Sequence, residues 1–214
     1  MKDLKELMAK ECNYRFSMDT EIMNRFLNAL TEVNLRRGEV LTGYGQLDSN
    51  LYIVRAGILR LIYFDGLTEK TFAFATPGTL YTQMHSYSMH LPSVFQVEAC
   101  INSVVMKISK QKFDAFLAES DEFARWMLDK ALDQLCALEM RMNRINGTAR
   151  ERYESLVKTI PEVAGNVSSR IIASYLGITP VYLSRLKKMY SVKHEKAEGQ
   201  INPITLNSIK STKP

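Results

Sequence analysis

The chain has 214 residues, of which 46% are hydrophobic and 24% are charged, a composition typical of globular proteins rather than disordered or fibrous ones. Its three cysteines, Cys12, Cys100 and Cys136, form no C-x-x-C pair, which argues against a disulfide framework or a thiolate zinc site and favours a reducing compartment. The first residues mix acids with bases, and the most apolar stretch, residues 51–64, contains two arginines. We therefore expect neither a signal peptide nor a membrane span, and predict a cytoplasmic protein.

The positive charge is concentrated in the last third of the chain. The whole chain carries +5, but the residues from 147 onward hold 11 Lys and Arg against five Asp and Glu, a net +6. The first 146 residues hold 17 bases and 18 acids, a net −1. This asymmetry predicts a near-neutral module joined to one that meets a polyanion.

The pattern of the first 108 residues predicts short helices followed by a β-barrel. Residues 1–32 have apolar residues at helical spacing, with Asp19 or Thr20 placed to cap the second helix. From about residue 35, short β-branched and aromatic runs alternate with glycine-containing turns, which is typical of an all-β sandwich or barrel. Asp65-Gly66 lies between two such runs and predicts a hairpin.

Helical spacing returns at Lys110, and a long helix is predicted over residues 121–146. Its main apolar stripe consists of Met127, Ala131, Leu135, Leu138, Met142 and Ile145. Leu128, Leu132 and Cys136 form a second strip beside it. Either the helix is entirely core, or one strip covers the barrel while the other pairs with the same helix of a second copy. The pattern favours the dimer.

The strongest motif is the segment SSRIIASYLGITPVYLSRLKKM, which predicts two short helices joined by a tight turn. Gly177 lies where the turn needs a positive φ, and Thr179-Pro180 has an N-cap followed by a proline at the first helical position. This spacing is that of a DNA-binding helix-turn-helix, whose second helix enters the major groove. An ordinary helical hairpin is the alternative. The residues predicted to contact DNA are Ser168, Ser169, Arg170, Thr179, Val181, Tyr182, Ser184, Arg185, Lys187 and Lys188.

Among these residues, Arg185 is the best candidate for reading a base, because a guanidinium can pair with two acceptors of guanine. Tyr182 could contact a thymine methyl group or a phosphate. Lys187 and Lys188 are expected to neutralise phosphates, as are the three residues at 168–170.

The order of these elements resembles the Crp/Fnr family of bacterial transcription regulators over roughly residues 10–190. LYIVRAGILRLIY is similar to the first barrel hairpin of the family, and ASYLGITPVYLSRLKK is similar to its recognition unit. The resemblance implies an α+β protein in three parts. These are a cyclic-nucleotide-binding-like double-stranded β-helix (jelly-roll) barrel with N-terminal helices (1–120), a dimerisation helix (121–146), and a winged-helix or helix-turn-helix domain with a polar tail (147–214).

By the same resemblance, the partners would be a second copy of the chain, double-stranded DNA with a near-palindromic operator, and RNA polymerase if the protein is an activator. A small-molecule effector would be a further partner. The family places a two-stranded wing after Met189, where this sequence is polar and rich in lysine, so the wing is expected to be reduced or missing.

The sensory segment departs from the nucleotide-binding members of the family. Gln83 stands where they have a ribose-binding glutamate, Ser93 where they have the phosphate-binding arginine, and no Lys or Arg occurs between Lys70 and Lys107. A buried phosphate without a cation is costly, so the effector is expected to be something other than cyclic AMP, or absent. The side chains that could line an effector pocket, if they do not simply fill the barrel, are Gln83, Met84, His85, Ser93, Val94 and Leu138.

We expect no cofactor and no metal. Cys12 is a lone N-terminal cysteine, which argues against an iron–sulfur cluster, and a lone His85 or His90 is weak support for haem. Two other classes of function remain as alternatives. A metal-dependent cupin-like enzyme would need two or three histidines converging in the barrel, which the sequence does not provide. A sensory protein that binds no DNA would leave Arg185 and the lysines without a polyanion.

Overall fold

The computed structural model describes residues 2–10 and 20–198, and gives side-chain surroundings for residues 4–8, 20–142 and 146–190. The helices in the described part are α1 (Lys2–Lys10), α2 (Glu21–Ala29), α3 (Met84–Met89), α4 (Lys110–Glu119), α5 (Asp121–Ile145), α6 (Ala149–Thr159), α7 (Pro161–Asn166), α8 (Ser169–Leu176) and α9 (Pro180–Glu198). The strands are β1 (Thr31–Leu35), β2 (Val40–Thr42), β3 (Leu51–Ala56), β4 (Leu59–Asp65), β5 (Thr68–Ala75), β6 (Leu80–Thr82), β7 (Gln96–Ala99) and β8 (Ser103–Ile108).

The strands form two antiparallel four-stranded sheets, in the orders β1-β8-β3-β6 and β2-β7-β4-β5. Their facing sides enclose an apolar interior that includes Tyr52, Val54, Leu59, Val97 and Val105. The predicted β-barrel is therefore confirmed. Strands β1 and β6 and helix α3 are elements that the apolar runs of the sequence did not indicate.

Helices cover the outer face of the first sheet. Phe26 of α2 lies at the centre of this layer, with its ring centroid 5.1–6.2 Å from the rings of Phe113, Phe116, Phe123 and Trp126. Leu51, Ile53 and Leu80 form the sheet side of the same cluster. Helices α2, α4 and the start of α5 are thus joined to the barrel by one buried aromatic core.

The structure tests two local predictions, the N-cap of α2 and the hairpin at Asp65-Gly66. Thr20 is the N-cap of α2, because its Oγ1 accepts a hydrogen bond from the amide of Met23 at 3.3 Å. Asp19, the alternative cap, lies outside the described residues. The predicted hairpin is present, but its turn is displaced by one residue. Asp65 pairs with Thr68, so the two turn residues are Gly66 and Leu67.

Helix α5 presents two different faces. Phe123, Trp126 and Lys130 are buried on the side that packs against the barrel, and the side-chain amide of Gln134 donates to the carbonyl of Leu80. Met127 also packs against the barrel-side cluster. Along the second half of the helix, the barrel-facing positions are therefore polar, and the apolar residues point away from the barrel.

The last four helices form a cluster of their own that rests on one end of the barrel. The buried side chains of this cluster come from α6 to α9 and from two residues in loops at the end of the barrel, Ile58 and Cys100. In the described residues no strand follows β8, and residues 189–198 continue α9. Residues 189–198 thus form helix at the place where the family would begin its wing. The polar tail from residue 199 lies outside the described residues.

Gly57 is the most crowded glycine of the described residues, and its substitution gives a testable prediction. It has φ +92°, and a Cβ at this position would lie 2.2 Å from Ser103 Oγ and 2.6 Å from Ser103 Cα. We expect Gly57→Ala to lower the free energy of unfolding by about 3 kcal/mol or more, because steric overlap adds to the cost of the left-handed conformation. Urea unfolding measures this loss.

Gly66→Ala is the matched control, since Gly66 has φ +61° but open space around its Cβ position. Gly66→Ala should lower the free energy of unfolding by only about 1 kcal/mol, the cost of a left-handed backbone conformation for alanine. Equal losses in the two variants would contradict the close approach of Gly57 to Ser103.

Candidate nucleic-acid interface and sensory site

Helices α8 and α9 are joined by three residues whose conformations follow from their side chains. Gly177 ends α8 with φ 65°, a left-handed conformation that glycine adopts without strain. Thr179 caps α9, and its Oγ1 accepts from the amide of Tyr182 at 3.2 Å. Pro180 follows as the first residue of the helix. Ser168 caps α8 in the same way, accepting from the amide of Ile171 at 3.4 Å.

An apolar core beneath the two helices fixes their crossing. Ile172, Ala173 and Leu176 of α8 and Leu183 and Leu186 of α9 are all buried. Because positions 183 and 186 point inward, the intervening positions of α9 point outward.

The ten residues predicted to contact DNA lie on the outer surface of this helical pair. All of them are exposed except Ser168 and Lys187, which are half-buried. The ammonium of Lys187 donates to Ser169 Oγ at 3.2 Å, which brings the middle of α9 next to the start of α8. Val181 and Tyr182, at the start of α9, are 66% and 44% exposed, so the described residues leave uncovered the end of the helix that would meet base edges.

A second contact, which the sequence did not indicate, ties this helical pair to the end of α5. The guanidinium of Arg152 in α6 donates to the carbonyl of Gly147 at 2.6 Å and to the carbonyl of Leu176 at 3.1 Å. Thr148 begins α6 with a capping box, and its hydrogen bonds lower the pKa of Glu151. The connection between α5 and α6 is thus held to the last turn of α8.

Gln83 and Ser93 occupy the two positions at which this sequence departs from the nucleotide-binding members of the family. Both side chains are buried and form hydrogen bonds within the protein. The Gln83 side-chain amide donates to the carbonyl of Phe95 at 2.8 Å, and the Ser93 hydroxyl donates to the carbonyl of Gly43 at 2.7 Å. Both residues are only 2% exposed. Their polar atoms hold the loops around α3 together and are directed at backbone carbonyls.

The other residues suggested for an effector pocket do not join these two. Met84 and Val94 are exposed at 64% and 39%, His85 is exposed on α3, and Leu138 is exposed on α5. A surface pocket of about 760 Å³ is lined by residues 34–36, 39 and 102–104, none of which belongs to the predicted set. Within residues 2–10 and 20–198, no group of three or more His, Cys, Asp or Glu is placed to hold a metal ion.

The exposed side of α5 carries a continuous apolar strip, which we call the α5 strip. It consists of Leu128, Leu132, Leu135, Leu138 and Met142. Their exposed fractions range from 42% to 70%. Ala131 is exposed beside the strip, whereas Met127 lies on the barrel side. The side chain of Ile145, the last predicted member of the stripe, is outside the described residues.

Comparisons with known proteins agree with this architecture. The family model of the cyclic nucleotide-binding domain matches residues 32–120, which include all of the barrel strands except the start of β1. The structure is also similar to that of FixK2 from Bradyrhizobium japonicum, at 23% identity and a TM-score of 0.66, covering 77% of this chain and 86% of that one.

Two further solved structures cover more of the chain. A CooA mutant from Carboxydothermus hydrogenoformans is 17% identical with a TM-score of 0.64, over 91% of this chain and 89% of that one. The c-di-GMP responsive regulator CLP of Xanthomonas campestris is 16% identical with a TM-score of 0.62, over 85% of this chain and 93% of that one. At these identities the neighbours show the fold, and this fold is the one that the resemblance to Crp/Fnr regulators implied.

No curated protein matches the chain in sequence. In the part of the chain that the structure describes, none of the helices is both long and apolar enough to cross a membrane.

Proposed function

We propose that the chain is a homodimeric, sequence-specific DNA-binding transcription regulator whose effector is not cyclic AMP or is absent. The observation that carries the proposal is the exposed face of α9, which combines Tyr182, Ser184 and Arg185 outward with Leu183 and Leu186 inward. From residue 167 to residue 188 the chain has four basic residues and no acid. An uncovered basic helix of this kind suits the major groove.

The residues divide into two roles in this proposal. Arg185 and Tyr182, near the start of α9, contact base edges. Lys187, Lys188 and the start of α8 contact phosphates and set the position of the helix on the duplex. Ser168 and Thr179 contribute chiefly as N-caps, because their hydroxyls already accept from backbone amides.

The α5 strip supports the homodimer. Leu128, Leu135 and Met142 are spaced by seven residues, and Leu132 and Leu138 fall between them, so all five line one side of the helix. A contiguous apolar strip on a helix surface is costly in water and is covered when a second copy packs against it. Two parallel copies of α5 would also present two α9 helices to a near-palindromic operator. The division into domains, the cytoplasmic location and contact with RNA polymerase stay predictions from the sequence.

Two facts support an effector other than cyclic AMP, or none. The side chains of Gln83 and Ser93 are engaged with backbone carbonyls, and the sequence from 71 to 106 has no cation to meet a cyclic phosphate.

Arg185→Ala tests DNA recognition. We expect the variant to lose about 10- to 100-fold in affinity for its selected operator, because a bidentate arginine contact to a base discriminates by about 1–3 kcal/mol. Selection of binding sites from random DNA, followed by gel-shift titration at several salt concentrations, measures the loss.

Arg37→Ala removes an exposed arginine from the barrel and is the control for charge alone. Its affinity for the operator should stay within about twofold of the wild type, since a distant surface charge acts only through a screened field. A wild type that prefers no sequence, or an Arg185→Ala variant that binds as the wild type does, would contradict the proposal.

Leu135→Lys tests the dimer. A charge at the centre of the α5 strip would be buried against its counterpart, so we expect the variant to be a monomer in analytical ultracentrifugation at concentrations where the wild type is a dimer. Leu67→Lys is the control, because Leu67 is fully exposed at the hairpin tip. A dimer that survives Leu135→Lys would place the subunit contact elsewhere.

Cyclic AMP provides the third test. The unfolding temperature should not change at micromolar cyclic AMP, because a ligand that does not bind the folded state cannot stabilise it. An increase of several degrees would overturn our reading of Gln83 and Ser93.

A further inference from the structure

Strand β5, at the edge of the second sheet, contains a β-bulge at Phe72. Ile62 of β4 pairs with Thr71, and the next residue, Leu61, pairs with Ala73, so that Phe72 is the extra residue. A bulge increases the local twist and re-aims the side chains and amides on either side of it. Edge strands also carry backbone groups with no partner in their own sheet.

The bulge is the point at which the barrel holds α8. The amide of Thr71 donates to Ser174 Oγ at 3.0 Å, and the rings of Phe74 and Tyr175 lie 5.0 Å apart. Ser174 and Tyr175 are consecutive residues of α8, so the strand and the helix meet through one hydrogen bond and one aromatic pair. We call this contact the β5–α8 contact.

Arg141 of helix α5 also packs against the β5–α8 contact. The guanidinium of Arg141 lies 4.3 Å from the ring centroid of Phe72 and 4.9 Å from that of Tyr175. The cation therefore lies against one ring from the barrel and one from α8, in the geometry of a cation–π interaction. Because α5 carries the strip proposed for the dimer, the contact connects the dimer helix, the barrel and the helical pair.

The β5–α8 contact leaves the proposed DNA-binding face free. Ser174 and Tyr175 are on the side of α8 that turns toward the barrel, while Val181, Tyr182 and Arg185 of α9 are exposed. The helical pair can thus be docked on the barrel and present α9 outward at the same time.

We propose that the β5–α8 contact sets the angle between α5 and α9, and with it the spacing of the two half-sites that the dimer accepts. This inference rests on the proposed function. In a two-fold dimer the distance between the recognition helices fixes the distance between half-sites. Without the contact, that angle would be held only by the three residues between α5 and α6 and by the hydrogen bonds of Arg152. A short connection of this kind permits hinge motion.

Cys100 provides a direct probe of the docked arrangement. It is 5% exposed, it lies in the cluster that joins the barrel end to α6–α9, and burial raises the pKa of its thiol to about 12. A thiol reagent should therefore modify it only when the helical pair moves away from the barrel. Replacing Cys12 and Cys136 by serine leaves Cys100 as the one thiol of the chain.

The experiment uses Ser174→Ala and Phe72→Ala in this background, with matched controls. Ser88→Ala removes a hydroxyl from an exposed position of α3, and Phe64→Ala removes a ring that contacts only Tyr44 among the aromatic pairs of the described residues. The first measurement is the rate of Cys100 modification. We expect it to rise about fivefold in Ser174→Ala, the effect of losing one hydrogen bond, and to stay unchanged in both controls.

The second measurement is spacing preference. Affinities are compared for the selected operator and for versions with one base pair added or removed between the half-sites. For each protein, the affinity for the selected operator is divided by the affinity for an operator of altered spacing. In Ser174→Ala and Phe72→Ala this ratio should be about fivefold lower than in the wild type, while the base preference within each half-site stays that of the wild type. The urea midpoint of each variant separates this effect from general unfolding.

The outcomes are distinct. Unchanged Cys100 modification in Ser174→Ala overturns the contact itself. Faster modification with an unchanged spacing ratio overturns its role in setting the angle. A wild type that selects no DNA overturns the proposed function, and with it the inference about spacing, whereas the Cys100 rates would still report the contact.

Discussion

The edges of the two sheets are the constraint on which the rest of the structure depends. A sheet that is not closed on itself ends in strands whose outer amides and carbonyls lack partners in the sheet, and leaving these groups buried and unbonded is costly. Here the edge strands on one side are β5 and β6. Gln134 of α5 donates to the carbonyl of Leu80 in β6, and Ser174 of α8 accepts the amide of Thr71 in β5. The edges of the barrel thus determine where the long helix lies and where the C-terminal helices dock.

This constraint explains why α5 has polar residues where a core helix would have apolar ones. The first turns of α5 pack Phe123 and Trp126 into the aromatic layer over the first sheet. Farther along, the helix passes the strand edges, and Gln134 and Arg141 meet a carbonyl and an aromatic ring there. The apolar residues of that half are left on the opposite side, facing outward. One helix therefore changes from a core element to a surface element along its length.

Much of the architecture could be predicted from the sequence, because it follows from local rules. Hydrophobic spacing located the barrel, α5 and the α8–α9 pair, and the caps at Thr20 and Thr179 are where their side-chain chemistry places them. Strand β6 has only three residues and gave no periodic signal. The bulge at Phe72 could not be predicted, since it depends on which residue of β4 each residue of β5 meets, and that pairing is a property of the sheet. The sequence also left open which of the two adjacent apolar strips of α5 faces the barrel, and the structure places Met127 against the barrel-side cluster.

The α5 strip has a consequence for how much of the protein a cell must contain. If covering these five side chains takes a second copy, the amount of competent regulator rises with the square of the chain concentration while dimers are scarce, and linearly once they dominate. Operator occupancy would then have a threshold in protein abundance even without an effector. Under the function proposed here, synthesis and degradation of the chain would act as its input signal.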